Sequence, residues 1–204
     1  MRTRNLLLLL FVWTTISACG QAPIRGLESN GPDPALKEKL DLFGQFVGDW
    51  DFDMVLIRPD GTRLKGTGEW HFGWILEGRA IQDVWIAHDD LSKPDAPVTE
   101  WGTTVRFYDP RIDAWHVVWA GPMRGNLITF TGRKIEDEIV MEVDSVQGLP
   151  ETRPADLAPA RRGRWIFDHI ARDSFHWRAV TSRDGGKTWQ VDQEMFVRRK
   201  KLSI

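Results

Sequence analysis

Between residues 50 and 199, apolar side chains recur at every second position in about ten short segments, and no stretch between those segments carries a helical stripe. Alternation of this kind marks strands that bury one face. Without helices between strands, parallel βαβ architectures are not expected. Strands are expected over residues 50–57, 64–74, 80–88, 103–108, 114–120, 127–133, 139–145, 163–170, 175–182 and 189–199. Turn residues punctuate them: Pro59-Asp60-Gly61, Glu77-Gly78, Asp109-Pro110-Arg111, Glu136-Asp137-Glu138 and Arg172-Asp173. The fold expected is therefore all-β, an up-and-down antiparallel barrel of about ten strands, because closure removes exposed edges. A sandwich is the alternative.

Two local signals refine this. Gly66 and Gly68 share a face with Leu64, Trp70, Phe72 and Trp74, which predicts a sharp bend or a bulge. Ahead of the strands, Leu36, Leu40 and Phe43 form one stripe within residues 34–46. With Asp33 as N-cap and Pro34 at the first helical position, this predicts a short amphipathic helix that plugs the barrel. Residues 91–100 and 147–160 are expected as long irregular loops.

The N-terminus reads as an address. Met1-Arg2-Thr3-Arg4 precedes an apolar run from Leu6 to Trp13, then Ile16-Ser17-Ala18-Cys19. A basic start, a short apolar core and small residues at the cut describe an export signal. The run falls short of the roughly 20 apolar residues of a permanent membrane helix. Ile-Ser-Ala-Cys resembles the bacterial lipobox, whose cysteine is lipidated and becomes the mature N-terminus. The expected organisation is a lipoprotein signal peptide over 1–18, a flexible tether over 19–33 and one barrel domain over 34–204. Gly20 fits sorting to a Gram-negative outer membrane, with the domain facing the periplasm.

Cys19 is the only cysteine, so its acylation leaves no thiol for a disulfide or a thiolate metal site. Losing Arg2 and Arg4 with the signal moves the formal charge from −2 to −4, which argues against a nucleic-acid partner. Tryptophan is the outlying residue, with 11 copies. Indoles favour strands and carry a large apolar body with one donor. They predict an indole-rich core, an aromatic-lined cavity, or both.

The short helix leading into Phe46-Val47-Gly48-Asp49-Trp50, followed by meandering strands, resembles the entry of lipocalin-type (calycin) barrels. In that superfamily a Gly-x-Trp on the first strand closes one end of the barrel, and Gly48 and Trp50 match it. Trp74-Ile75-Leu76-Glu77-Gly78-Arg79-Ala80 is similar to a motif linking the second and third strands in uncharacterised bacterial exported lipocalin-like proteins. The cysteines that staple many lipocalins are absent.

Ser182-Arg183-Asp184-Gly185-Gly186-Lys187-Thr188-Trp189 resembles the Asp-box of sialidases. A single copy cannot build a propeller, so it reads as a structural turn and carries no implication of glycosidase activity. A tight Arg172-Asp173 turn sets His169 opposite His176. The expectation is a cross-strand polar pair: no third ligand at fixed spacing is visible, and neither a metal site nor a cofactor is expected. His71 and His116, mid-strand beside tryptophans, either donate into a cavity or face outward. No nucleophile elbow, phosphate loop or zinc-protease motif is present.

The resulting expectation is a small, largely apolar ligand held in a barrel cavity. Trp70, Trp85, Trp115, Trp119, Phe130 and Trp177 supply the wall, with His116 a further candidate. Arg79 and Asp83 orient the ligand, and Arg79 pairs internally with Asp83 or Glu77. Arg106, opposite in face to Val105 and Phe107, is expected to point outward. Two other classes stay open. A lipocalin-type isomerase, cyclase or hydratase needs Asp83, His116 or His169 inside the cavity. A filled barrel gripping a protein partner through its rim loops needs a solid core.

Overall fold

The computed structural model describes residues 24–88, 98–148 and 161–201. The signal segment and Cys19 lie outside them, as do most of the two long loops. The chain forms a short 3-10 turn, Pro34–Leu36, a helix α1, Lys37–Gly44, and ten strands. These are β1, Gly48–Ile57; β2, Arg63–Ile75; β3, Ala80–His88; β4, Val98–Asp109; β5, Ala114–Gly121; β6, Asn126–Ile135; β7, Glu138–Gln147; β8, Arg162–Ala171; β9, Ser174–Ser182; and β10, Gln190–Arg199. Each strand pairs antiparallel with its sequence neighbours, and β1 pairs with β10 to close the barrel. The closing register sets Trp50 opposite Arg199 and Phe52 opposite Val197.

On β1, β2, β3, β5 and β8 the two-residue period sorts side chains as expected. Trp50 and Phe52 of β1, Trp70 and Phe72 of β2, Ile81 and Trp85 of β3, Trp115 and Trp119 of β5 and Phe167 of β8 are all buried inside. A smaller cluster on the outer face, Val140, Ile166 and Val180, is covered by Trp189 and Val191.

α1 closes one end. Its apolar stripe delivers Leu40 and Phe43 to the core, both fully buried. Asp33 Oδ1 accepts from the Ala35 amide at 3.0 Å, and this caps the entry turn. Phe43 meets Trp115 edge-on with centroids 4.8 Å apart, and Phe46 packs on Phe167 and Phe175 at 4.9 and 4.7 Å. The Gly-x-Trp entry works through Arg199. Its guanidinium lies 4.0 Å from the Trp50 ring and donates to the carbonyls of Val47, Gln45 and Arg172. Gly48 has φ +123°, and a Cβ there would meet Arg199 Nη1 at 2.7 Å. Trp50 Nε1 donates to Phe46 O at 2.6 Å, so the last strand, the first strand and the helix exit lock together.

Two expectations change. No bulge occurs at Gly66 or Gly68, where the register with β1 and β3 runs unbroken. Those glycines make room instead: a Cβ on Gly68 would run into the Ile86 carbonyl and the Phe52 ring. Residues 26–33, the described end of the expected tether, are hydrogen-bonded to the β2–β3 connection. Ser29 N donates to Trp74 O at 2.9 Å, Leu76 N to Gly26 O at 2.8 Å and Asp33 N to Gly78 O at 3.1 Å. This docking explains the motif from Trp74 to Ala80. Leu76, Glu77 and Gly78 all have positive φ, a kink that exposes backbone groups for the incoming strap.

Candidate ligand cavity

Aromatic rings from α1 and the strands pack the interior at the helix end, where an open pocket of about 530 Å³ lies outside them, between α1 and Tyr108, Trp115 and Arg133; the other end is hollow. A cavity of about 430 Å³ opens at the end away from α1. Five indoles wall it: Trp70, Trp85, Trp119, Trp165 and Trp177. They run around the interior in mostly edge-to-face contacts, with Trp85–Trp119, Trp119–Trp165 and Trp165–Trp177 centroids 6.0, 5.6 and 5.2 Å apart. Trp70, 5.8 Å from Phe167, belongs to the floor, where the cavity meets the aromatic plug. Met54, Leu56, Ala87, Met123, Ile128 and Met195 complete the apolar lining. The volume sits within the range of about 300–1,000 Å³ typical of small-molecule sites.

Polar groups are few. Gln193 Nε2 contacts Met54 Sδ, and Trp85 Nε1 donates to Met195 Sδ at 3.3 Å. At the mouth Arg124 Nε donates to Glu100 Oε2 at 2.8 Å, an ion pair with the arginine side exposed. Among the described residues Glu100 is the cavity's one carboxylate. The indole N–H groups of Trp70 and Trp177 are buried without a hydrogen-bond partner. Such donors cost about 1–3 kcal/mol each when left unpaired, so both indoles have a hydrogen bond to offer.

With this geometry in view, comparison with known proteins adds the fold. No family model and no curated protein matches the chain. Among solved structures, Rv2717c from M. tuberculosis superposes with a TM-score of 0.56 at 17% identity, covering 83% of this chain and 99% of that one. The S-type phycobiliprotein lyase CPES from Guillardia theta superposes at 0.50 and 9% identity, covering 80% and 93%. The closed barrel fits the lipocalin-like, calycin fold. At these identities the likeness concerns the fold alone.

The structure brings together Trp70, Trp85, Trp119 and Trp177 from the expected wall and adds Trp165. Phe130 is buried behind Trp165, 4.5 Å between centroids, and stands outside the lining. Trp115 belongs to the plug, under Phe43.

The expected charged anchors lie elsewhere. Arg79 is exposed and pairs with Asp33 at 2.9 Å, holding the N-terminal strap. Asp83 is buried in the closed half, where it pairs with Arg106. Arg106 is thus a correction: it points inward and is fully buried, lying over the rings of Phe43 and Phe72. On β4 the apolar Phe107 and Trp101 face solvent while Thr104 and Arg106 face in, the reverse of the parity that hydrophobicity suggests. Arg106 Nη2 donates to Asp83 and to Thr104 Oγ1, and the Thr104 hydroxyl and amide both donate to Asp83. Burial pushes the guanidinium's pKa down, opposed by the Asp83 charge.

The histidines sit on the outer surface. His71 bonds Asp49 at 2.7 Å and His116 approaches Asp109 at 3.3 Å. The register expected for His169 and His176 shifts, because a bulge between Asp168 and Ala171 sets Asp168 opposite His176. His169, at φ +47°, then folds onto the same carboxylate. Both Nδ1 atoms lie on Asp168 Oδ1, at 2.7 and 2.8 Å, and Arg178 Nε holds Oδ2 at 2.8 Å. Burial pushes the Asp168 carboxyl up, but these partners win and hold it below the ordinary aspartate range. Asp168, His169 and His176 have the donor set of a cation site, and in this arrangement both oxygens of the carboxylate are in contact with protein nitrogens. Asp83, His116 and His169, the groups an acid–base mechanism was expected to use, are all off the cavity.

The Asp-box-like segment is a turn. Asp184 Oδ1 accepts from the amides of Lys187 and Thr188 at 3.0 and 2.9 Å, and Oδ2 from the Thr188 hydroxyl at 2.7 Å. Gly185 and Gly186 take positive φ, and Trp189 tucks under Arg164, 4.1 Å away.

Proposed function

We propose that this chain is an exported lipoprotein, anchored in the cell envelope through acylated Cys19, whose barrel binds a small, largely apolar ligand. The observation that carries the binding half is the 430 Å³ cavity walled by five indoles and open at one end. A packed interior rarely keeps space of this size. Ten strands enclose more than side chains alone fill, and here the plug fills only the helix end. Flat aromatic walls supply stacking and dispersion, while Gln193, Glu100 and Arg124 offer polar partners at the opening. The envelope half is supported by the signal-like first 18 residues and the lipobox-like Ile16-Ser17-Ala18-Cys19.

Native mass spectrometry of gently purified protein tests the first half, together with quenching of tryptophan emission by apolar dyes. A co-purified small molecule, or saturable quenching, is expected. Neither appearing in repeated preparations rejects the binding reading. Intact mass of membrane-extracted protein tests the second: acylation of Cys19 is expected, and an unmodified thiol rejects it.

A further inference from the structure

Three exposed aliphatic side chains gather at the closed end of the barrel. Ile24 and Leu27 lie on one turn, joined by the Leu27 N to Ile24 O bond of 3.2 Å. Leu76 lies on the adjoining kink, its amide bonded to Gly26 O. They are 61%, 46% and 54% exposed. The mouth has its own exposed apolar residues, Leu64, Trp101, Met123 and Leu127, so apolarity alone does not say which end meets a membrane. The length of the chain ahead of Ile24 does.

Only residues 20–23 separate Cys19 from Ile24. Fully extended, that connection reaches about 18 Å. β2 carries both ends of the barrel on one strand, with Leu64 at the mouth and Ile75 beside the docked turn. The distance from Leu64 to Ile75 is about 36 Å along a strand, or about 28 Å along the axis of a barrel with strands tilted 35–45°. A mouth pressed onto the bilayer would lift Ile24 beyond the tether's reach. The closed end has no such conflict.

We propose that the helix-capped end is the membrane-facing surface: Ile24, Leu27 and Leu76 rest in the lipid headgroup region, and the ligand mouth opens away from the bilayer. The inference rests on the Cys19 anchor proposed above. Its consequence is that the cavity exchanges ligand with the aqueous side or a partner there, and does not draw it straight from the supporting leaflet.

The test uses the full acylated chain in vesicles of phosphatidylethanolamine and phosphatidylglycerol. Acylation occupies the only native thiol, so single cysteines placed by Leu27→Cys, Leu76→Cys, Met123→Cys or Leu127→Cys each accept one polarity-sensitive fluorophore. Labels at 27 and 76 are expected to shift to the blue on reconstitution. Spin-labelled lipids should quench them several-fold more than labels at 123 and 127. Equal quenching at both ends, or stronger quenching at 123 and 127, overturns the orientation while leaving the anchor intact. Intact mass on the same samples separates the two ideas: protein without acyl chains on Cys19 sinks the anchor, and the orientation with it.

Discussion

At the scale of single residues, the Arg106–Asp83 pair is a costly commitment. Both side chains are fully buried, and Thr104 supplies further hydrogen bonds to the carboxylate. Removing one partner strands a charge in an apolar interior, which costs about 3–5 kcal/mol. Asp83→Ala should therefore lower stability by that amount in denaturant titration, whereas the double replacement Asp83→Leu with Arg106→Met should recover most of it. Acidic groups make a second prediction. Hydrogen bonds from Arg111 and its amide hold Asp109 well below the ordinary 3.8, and the Thr188 amide and hydroxyl do the same for Asp184. The unfolded chain then takes up protons at a higher pH than the fold does. The stability these groups contribute is complete above about pH 4 and is lost as pH falls through their depressed folded values. Denaturation midpoints should drop below pH 4, and Asp184→Asn should show a smaller drop than the native chain.

At the scale of elements, the closing seam depends on few groups. Arg199 carries three carbonyl bonds and the face of Trp50, so it ties β10 to β1 and to the helix exit. Charged hydrogen bonds contribute about 1.5–3 kcal/mol where water is excluded. Arg199→Ala should lose stability in that range, with increased amide hydrogen exchange concentrated at residues 45–52. Gly102 sets a different limit on β4. A Cβ there would overlap the Trp119 indole, which also walls the cavity. Gly102→Ala should displace that ring and change the emission and dye affinity of the cavity, more than it changes the melting temperature. Reading these elements from sequence worked where alternation was clean, as in β1, β2 and β5. It failed on β4, because Trp101 and Phe107 spend their apolar surface on the outside of the barrel. It failed again at His169, because a bulge rewrites register with no residue type to announce it.

At the scale of the whole molecule, the barrel divides into a plugged half that holds the fold and a hollow half that has room for a ligand. Ile128 lies in the wall of the hollow half, away from the plug. Ile128→Trp should fill the space and abolish dye binding with little loss of stability. Were that half already packed, the same change would overpack it and cost about 1–3 kcal/mol, a difference that calorimetry resolves. By itself the sequence determined the antiparallel meander, the strand count, the helix that precedes it, the Asp184 turn and most of the indoles that face inward. Each is a local or periodic property, set by which side chains alternate and which residues accept a turn. Only the tertiary structure decided where the space lies, since the plug fills one end and indoles from five different strands must meet before the other end is seen to stay open. Charge partners were equally out of reach: Arg79 with Asp33 and Arg106 with Asp83 are chosen by strand register and burial, which spacing along the chain does not encode.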